Sequence, residues 1–178
     1  MTEDRVTEDG IIEDRDGAAR RVIRPALPAE APAVAALHAR ARATYYPDGV
    51  PDDGTDWSAV WRGAVERPDG TVLCVVEDGA VTGIASFRTP EGAPADTVKL
   101  FQFHVDPDRW RAGTGTELHA ACVARWRAAG KRSAVLDVHV DNHRAQSFYA
   151  ALGWLPDPEN PPAEGDHHRY LRYAVTGE

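Results

Sequence analysis

The apolar residues of this chain fall into two kinds of pattern, and the two kinds alternate along the sequence. Runs rich in β-branched and aromatic residues predict strands. These runs lie at residues 20–25, 71–77, 80–88, 98–105, 134–140 and 168–175. Apolar residues spaced three and four positions apart predict helices between the strands. These segments lie at residues 28–44, 57–65, 115–129 and 142–152, the second of them capped by Thr55 or Asp56.

The order of these elements predicts a mixed α/β fold built on a central sheet. Two strands are joined by Asp78-Gly79, a pair typical of tight hairpin turns, so a meander is expected there. The strands before and after helix 115–129 should form a parallel pair with a right-handed crossover. Because Phe101 and Phe103 stand two residues apart in one strand, we expect both side chains on the same face.

Charge is unevenly distributed along the 178 residues, which carry a net charge of −8. Residues 1–20 hold seven acidic residues and three arginines, so half of the net charge lies there. We interpret residues 1–19 as a disordered acidic leader and residues 20–178 as a single domain. Cys74 and Cys122 fall in a predicted strand and a predicted helix, and we expect both to be small buried side chains without a disulfide.

Several classes of function are disfavoured by what the sequence lacks. No basic stripe with interleaved aromatics is present, so we expect no nucleic-acid partner. No run of about 18 apolar residues exists, so we expect no membrane span. The first residues carry no apolar secretory segment, and we expect a cytoplasmic protein. His139 and His143 straddle a predicted strand-to-helix junction and share no helical face, so no metal site is expected.

A pair of glycines marks the first candidate for chemistry. Gly113 and Gly115 stand where a strand-like run gives way to a helix-like run. Main-chain N–H groups at such a turn can bind phosphate, because the helix dipole favours an anion and no Cβ blocks the approach. A simple tight turn is an equally good interpretation of the glycines alone. The dinucleotide fingerprint fails at Leu118, and a P-loop ending in Gly130-Lys131 fails because Arg125 replaces its first glycine.

Three segments carry a resemblance to a known family. They read Val-Asp-Pro at 105–107, Trp-Arg-Ala-Gly-Thr-Gly at 110–115 and Asn-His-Arg-Ala-Gln-Ser-Phe-Tyr-Ala-Ala-Leu-Gly-Trp at 142–154. Over residues 20–175 the chain resembles the GCN5-related N-acetyltransferases (GNAT), with their Q/R-x-x-G-x-G/A turn and N-x-x-A-x-x-F-Y-x-x-x-G-F segment. Trp110 replaces the usual glutamine or arginine, and Trp154 replaces phenylalanine. The implied fold has helices on both faces of a mixed central sheet.

The resemblance implies acetyl-CoA as co-substrate and no metal. A strand that splays from its neighbour at a bulge would offer its main chain to the pantetheine arm, and the glycine turn would bind the diphosphate. The implied coenzyme contacts are Phe103, His104, Val105, Trp110, Arg111, Ala112, Gly113, Thr114, Gly115, Thr116, Asn142 and Tyr149. Whether Arg109 or Arg111 adds a side-chain contact to phosphate stays open. Asn142 could also simply cap its own helix.

The chemistry implied by the resemblance is direct attack of an amine on a thioester. Tyr149 matches the position that donates a proton to the departing sulfur, and the N–H of Val105 or a neighbour would stabilise the oxyanion. Lys99 stands where many relatives have a glutamate base. The remaining candidates for the general base are His104, Asp137, His139 and Glu117, or a chain of waters without a dedicated base.

The acceptor is expected between the first helices and the last strands. Candidate acceptor residues are Tyr45, Tyr46, Trp57, Asp137 and His139, together with the acidic loop 48–56 and loop 156–168. A small amine, an amino acid, an aminoglycoside-like compound and a protein N-terminus all remain open. The expected function is acetylation of a small-molecule primary amine. The alternatives are a non-catalytic acyl-CoA sensor and transfer to a protein amine or to oxygen. The resemblance also makes a homodimer possible.

Overall fold

All the predicted helices and strands are present in the computed structural model, which describes residues 21–176. The strands are β1 (Arg21–Pro25), β2 (Gly70–Glu77), β3 (Ala80–Arg88), β4 (Thr97–Val105), β5 (Ser133–His139), β6 (Leu155–Pro156) and β7 (His168–Ala174). The helices are α1 (Ala31–Ala43), α2 (Trp57–Glu66), α3 (Thr114–Ala128) and α4 (His143–Ala151). The short β6 is an addition to the predicted elements. The acidic leader predicted at 1–19 lies outside the described residues.

One mixed sheet contains the seven strands, in the order β1-β2-β3-β4-β5-β7-β6. All neighbouring strands are antiparallel except β4 and β5, which run parallel and are connected through α3. The predicted meander and the predicted parallel pair are therefore confirmed.

Helices cover both faces of this sheet, as predicted. On one face α1 and α2 bury an apolar cluster that includes Val34, Leu37, Trp61, Cys74 and Ile84. On the other face α3 and α4 cover Leu73, Val75, Ala85, Leu118 and Trp126, together with Cys122. Alternate residues of β2 thus pack into the two apolar clusters on opposite sides of the sheet, because successive side chains of a strand point to opposite faces. Both cysteines are buried, as predicted.

A bulge in β4 decides which residues face the site. Leu100 pairs with Phe87 and Gln102 with Ser86, so Phe101 has no partner on β3. The extra residue reverses the alternation of faces. Phe103 packs against the α3–α4 core, whereas Phe101 lies beside Lys99, whose Nζ is 5.0 Å from its ring centre. The expectation that Phe101 and Phe103 share a face is therefore wrong, and the bulge implied by the family resemblance is confirmed.

Beyond the bulge, β4 and β5 separate. Their parallel pairing covers only Thr97–Lys99 and Ser133–Val135. The N–H of Asp106 donates to the Thr82 carbonyl of β3 across 2.8 Å. Because main-chain groups of a strand alternate between its two edges, the N–H groups of Phe103 and Val105 point to the open side. The predicted splay is present, and it leaves a strand edge available to a ligand.

Candidate active site

The separation of β4 from β5 opens a cavity of about 400 Å³, which we call the turn cavity. Its walls come from β4, the loop before α3, the start of α3, α4 and the end of α1. All the predicted coenzyme contacts line it except Ala112 and Thr114. Tyr45, predicted as an acceptor residue, lines it too. The sequence analysis missed further lining residues, namely Ala41, Thr44, Arg144, Ala145, Ser147 and Phe148. Arg109 and Arg111, the two arginines left open, both line it.

The two glycines of the turn are needed for different reasons. Gly113 precedes the first helical residue of α3 with φ of 85°, in the left-handed region that favours glycine. A Cβ on Gly115 would lie 3.2 Å from Phe148 Cε2, so glycine there permits α4 to pack closely. The first amides of α3 have no acceptor within the helix. Gly113, Gly115 and Thr116 of this segment line the turn cavity, where the sequence predicted an anion.

An arginine from the opposite edge of the sheet holds this turn. Arg21 on β1 donates from Nη2 to the main-chain oxygen of Ala112 across 2.9 Å. Its Nε and Nη1 bond the carboxylates of Glu77, at 2.5 Å, and Glu117, at 2.9 Å. Arg109 Nη1 approaches the other oxygen of Glu77 to 3.3 Å. Glu117 therefore lies in this network and lines neither cavity of the site, so the geometry gives no support to Glu117 as the base.

Trp110 joins the end of β4 to the turn. Its indole Nε1–H donates to the main-chain carbonyl of Val105 across 3.1 Å. The guanidinium of Arg144 covers the ring at 3.5 Å from its centre. Burial, followed by the nearby charge of Arg111, lowers the pKa of Arg144. With Arg109, these arginines give the rim of the turn cavity a positive charge suited to phosphate.

A second cavity, of about 230 Å³, lies between α1, the start of α2 and the separated strands. We call it the aromatic cavity. All five predicted acceptor residues line it: Tyr45, Tyr46, Trp57, Asp137 and His139. The ring centres of Tyr45 and Tyr46 lie 5.6 and 5.1 Å from that of His139. The sequence analysis missed His38, Arg42 and Gln102 here, and only His168 comes from the predicted loop 156–168.

The two cavities meet at Tyr149. They also share Tyr45, Phe103, His104, Asn142 and Ala145. Burial raises the pKa of Tyr149, so its phenol stays protonated at neutral pH. No described residue forms a hydrogen bond with that hydroxyl. Asn142 Oδ1 accepts the N–H of Ala145 at 3.1 Å, which confirms that Asn142 caps α4.

Comparison with known proteins decides the family. Residues 34–154 match the model of the acetyltransferase (GNAT) family. The chain belongs to this family. At that level it is an acyl-CoA-dependent acetyltransferase, and the resemblance drawn from its motifs is confirmed. No match was found among curated protein sequences.

Solved GNAT structures share the fold of this acetyltransferase at low sequence identity. The PaiA N-acetyltransferase of Thermoplasma acidophilum, in complex with coenzyme A, superposes with a TM-score of 0.70 at 14% identity, covering 87% of this chain and 99% of that chain. The ribosomal-protein-S18-alanine N-acetyltransferase of Escherichia coli gives 0.66 at 16%, covering 89% and 96%. A GNAT acetyltransferase of Staphylococcus aureus gives 0.72 at 12%, covering 88% and 100%.

Two neutral histidines stand at the junction of the cavities in this acetyltransferase. His104 Nε2–H donates to Gln102 Oε1 at 2.7 Å, and His38 Nδ1 accepts the Trp61 indole N–H at 3.2 Å. The two imidazole rings lie 4.7 Å apart. Burial lowers the pKa of His38 to about 4 and that of His104 to about 3, with a further contribution from Arg42 to both. His104 is therefore a weak proton acceptor, and its assignment as the general base stays a prediction.

The carboxylate of the aromatic cavity is already paired. Asp137 Oδ1 lies 2.7 Å from Lys99 Nζ, where β4 and β5 begin to separate. Lys99, at the position where relatives have a glutamate, thus neutralises the acid of the neighbouring strand. Within residues 21–176 no group of three metal-ligating side chains comes together. None of the helices described is both long and apolar enough to span a membrane.

Proposed function

We propose that this protein transfers the acetyl group of acetyl-CoA directly to a small-molecule primary amine in a ternary complex. One observation carries the proposal: a cavity rimmed by arginines and a second, aromatic cavity meet at a protonated tyrosine, Tyr149. An acyl carrier in the first cavity and an amine in the second would bring thioester and nucleophile together there. Such positioning is a large part of catalysis for a bimolecular reaction.

The residues of the turn cavity fit coenzyme A. The left-handed Gly113 and the first amides of α3 suit a diphosphate, and Arg109, Arg111 and Arg144 supply positive charge. The open edge of β4 suits an extended arm that pairs with it like an added strand. Since the Trp110 indole already donates to the Val105 carbonyl, this edge offers a ligand the N–H of Val105 and the N–H and carbonyl of Phe103.

Two groups of this chain would act on the reacting thioester. The main-chain N–H of Val105, on the open edge, would donate to the carbonyl oxygen as negative charge develops on it during amine attack. When the carbon–sulfur bond breaks, Tyr149 would donate its phenolic proton to the departing thiolate, and the proton that the newly bonded nitrogen loses would restore the phenol through solvent. The high pKa of that phenol keeps the proton available at neutral pH.

The amine must reach the thioester with a free lone pair. The burial that lowers the pKa of His38 and His104 opposes any cation at this point, including an ammonium. We infer that the amine loses its proton to water on entering the aromatic cavity, so that a strong dedicated base is unnecessary. His104, Asp137 and His139 line the path and remain the alternatives.

Release of free thiol from acetyl-CoA in the presence of a panel of amines tests the proposal. Tyr149→Phe should lower kcat by about 100- to 10,000-fold, the usual contribution of a general acid, while coenzyme A affinity stays within twofold. Tyr173→Phe is the matched control, since Tyr173 packs on Trp154 and lines neither cavity. Unchanged turnover of Tyr149→Phe would remove this residue from the mechanism. Tight acyl-CoA binding with no turnover of any amine would favour the non-catalytic sensor.

A further inference from the structure

Arg42 is a cation of the aromatic cavity that forms no ion pair with any acid of residues 21–176. It lies in the last turn of α1 and is half-buried. Its guanidinium carbon lies 5.4 Å from the ring centre of Tyr46 and 5.5 Å from that of Trp57. Among the residues described, no carboxylate approaches Arg42 within ion-pair distance. Its charge is therefore held by two aromatic faces and is available to a ligand in the cavity.

The other ionisable groups of this cavity do not offset that charge. Asp137 is its one lining carboxylate, and Lys99 neutralises it at 2.7 Å. His38, His104 and His139 all have lowered pKa values, burial being the first cause for each. They are consequently neutral at pH 7. When the Lys99–Asp137 ion pair is counted as neutral, Arg42 therefore leaves the described surroundings of the cavity with a net positive charge.

The acidic loop between α1 and α2 does not reverse this balance. Asp52 and Asp53 accept main-chain N–H groups of Gly54 and Thr55, and Asp56 caps α2 through Ala59 N, all at 3.0 to 3.1 Å. None of these carboxylates lines the aromatic cavity. Hydrogen bonds from Thr55 are the first cause that lowers the pKa of Asp53, and the charge of Arg42 contributes last. Asp52, Asp53 and Asp56 thus serve in turns and a cap, and none of them forms an ion pair with Arg42.

The aromatic faces of the cavity are also partly occupied by a cation of the chain itself. Arg42 already covers Tyr46 and Trp57. A substrate with several ammonium groups would meet a repelling guanidinium, no free carboxylate and occupied ring faces. An acceptor that combines one amine with one carboxylate would meet a planar fork of donors that matches carboxylate geometry.

We propose that the acceptor is an amino-carboxylate, an amino acid or a close analogue, whose carboxylate is bound by Arg42. The proposal rests on the proposed acetyl transfer for its amine and on the aromatic cavity for its carboxylate. It makes Arg42 the residue that determines acceptor specificity. Polyamines and aminoglycoside-like compounds are then poor acceptors.

Matched ligands test this with the full-length protein saturated with coenzyme A. L-Leucine and L-phenylalanine are compared with L-leucinamide and L-phenylalaninamide, which keep size and amine but lose the negative charge, and spermidine serves as the polycation. Calorimetry measures binding, and thiol release from acetyl-CoA measures KM and kcat. The variants are Arg42→Gln, Arg42→Lys and, as control, Arg62→Gln on the exposed side of α2.

The carboxylates should bind at least tenfold more tightly than their amides. Arg42→Gln should weaken the carboxylates by about 10- to 100-fold, the range for a charge-assisted contact, and abolish the preference. Arg42→Lys should retain part of it, and Arg62→Gln all of it. Amides or spermidine binding as tightly as the carboxylates to the unmodified protein, or no carboxylate binding, would overturn the inference. A carboxylate preference in binding without any acetylation would support the binding of the carboxylate by Arg42 while refuting the proposed transfer.

Discussion

The guanidinium of Arg21 donates to the main-chain oxygen of Ala112, 91 residues later in the chain, across 2.9 Å. The same side chain bonds Glu77, which is 4% exposed, and Glu117 at the start of α3. An arginine on an edge strand therefore ties the predicted diphosphate turn to the ends of β2 and α3. Arg21 touches no reacting atom and acts by positioning the turn.

Replacing Arg21 should affect stability and coenzyme binding together. In Arg21→Gln, buried Glu77 keeps only Arg109, so we expect a loss of about 2 kcal/mol in the free energy of unfolding. Coenzyme A affinity should fall several-fold because the Ala112 carbonyl is released. Urea unfolding and calorimetry measure the two effects. Arg67→Gln is the control, since the Arg67–Asp69 pair is exposed and should contribute nothing measurable. Full coenzyme affinity in Arg21→Gln would contradict the positioning role.

The indole of Trp110 should contribute to coenzyme binding through the main chain. Trp110→Phe removes the donor to the Val105 carbonyl while keeping a ring beneath Arg144. One neutral hydrogen bond corresponds to about 1 kcal/mol, so we expect coenzyme A affinity to fall by about fivefold. Calorimetry measures the change. Trp110→Ala should lower coenzyme A affinity further, because Arg144 then loses the ring on which it stacks. Equal affinities of all three proteins would show that the Val105 carbonyl does not need this partner.

A paired substitution can separate backbone strain from phosphate contact at Gly113. Gly113 and Gly92 have similar φ angles, 85° and 77°, and no backbone atom would crowd a Cβ at either position. Valine at either site should lower the free energy of unfolding by about 1–2 kcal/mol, because β-branched residues avoid positive φ. Only Gly113→Val should also weaken coenzyme A, by tenfold or more, in a direct titration. If both variants bound coenzyme A equally well, the diphosphate would not lie against Gly113.

Acid should destabilise the protein through His119. This side chain is 4% exposed, accepts the Trp154 indole N–H at 3.0 Å, and has its pKa lowered by burial from 6.5 to about 4. Between these two values the unfolded chain binds a proton that the folded chain excludes, so stability falls as the pH decreases.

For His119 alone the expected loss between pH 7 and pH 5 is about 2 kcal/mol. Urea unfolding at the two pH values measures it. His119→Phe removes the titrating group, so its stability should fall less between pH 7 and pH 5 than that of the unmodified protein. His119→Gln, which keeps an acceptor for Trp154, should show the same reduced fall. An undiminished pH dependence in both variants would locate the acid sensitivity elsewhere.

The residues that the sequence analysis missed share a simple property. His38 and Arg42 lie on a helix whose apolar spacing identifies only the residues that face the core. Nothing local distinguishes them from solvent-exposed polar residues. Arg144 lies inside the recognised motif, but a polar position of an N-capped helix carries no sign that its side chain will stack on Trp110. Each acquires its role from a residue that is distant in sequence.

What the sequence by itself determined is local. It covers the order of helices and strands, the glycine turn at the start of α3, the Asn142 cap and the family motifs. Each of these depends on residues within a few positions of one another, through the spacing of apolar residues and the residue preferences of turns and caps. Tertiary structure alone decided three things: the position of the bulge, at Phe101, which turns His104 toward His38, the pairing of Lys99 with Asp137, and the contact of Arg21 with Ala112. These depend on strand register and on charges brought together by the sheet, which no short stretch of sequence encodes.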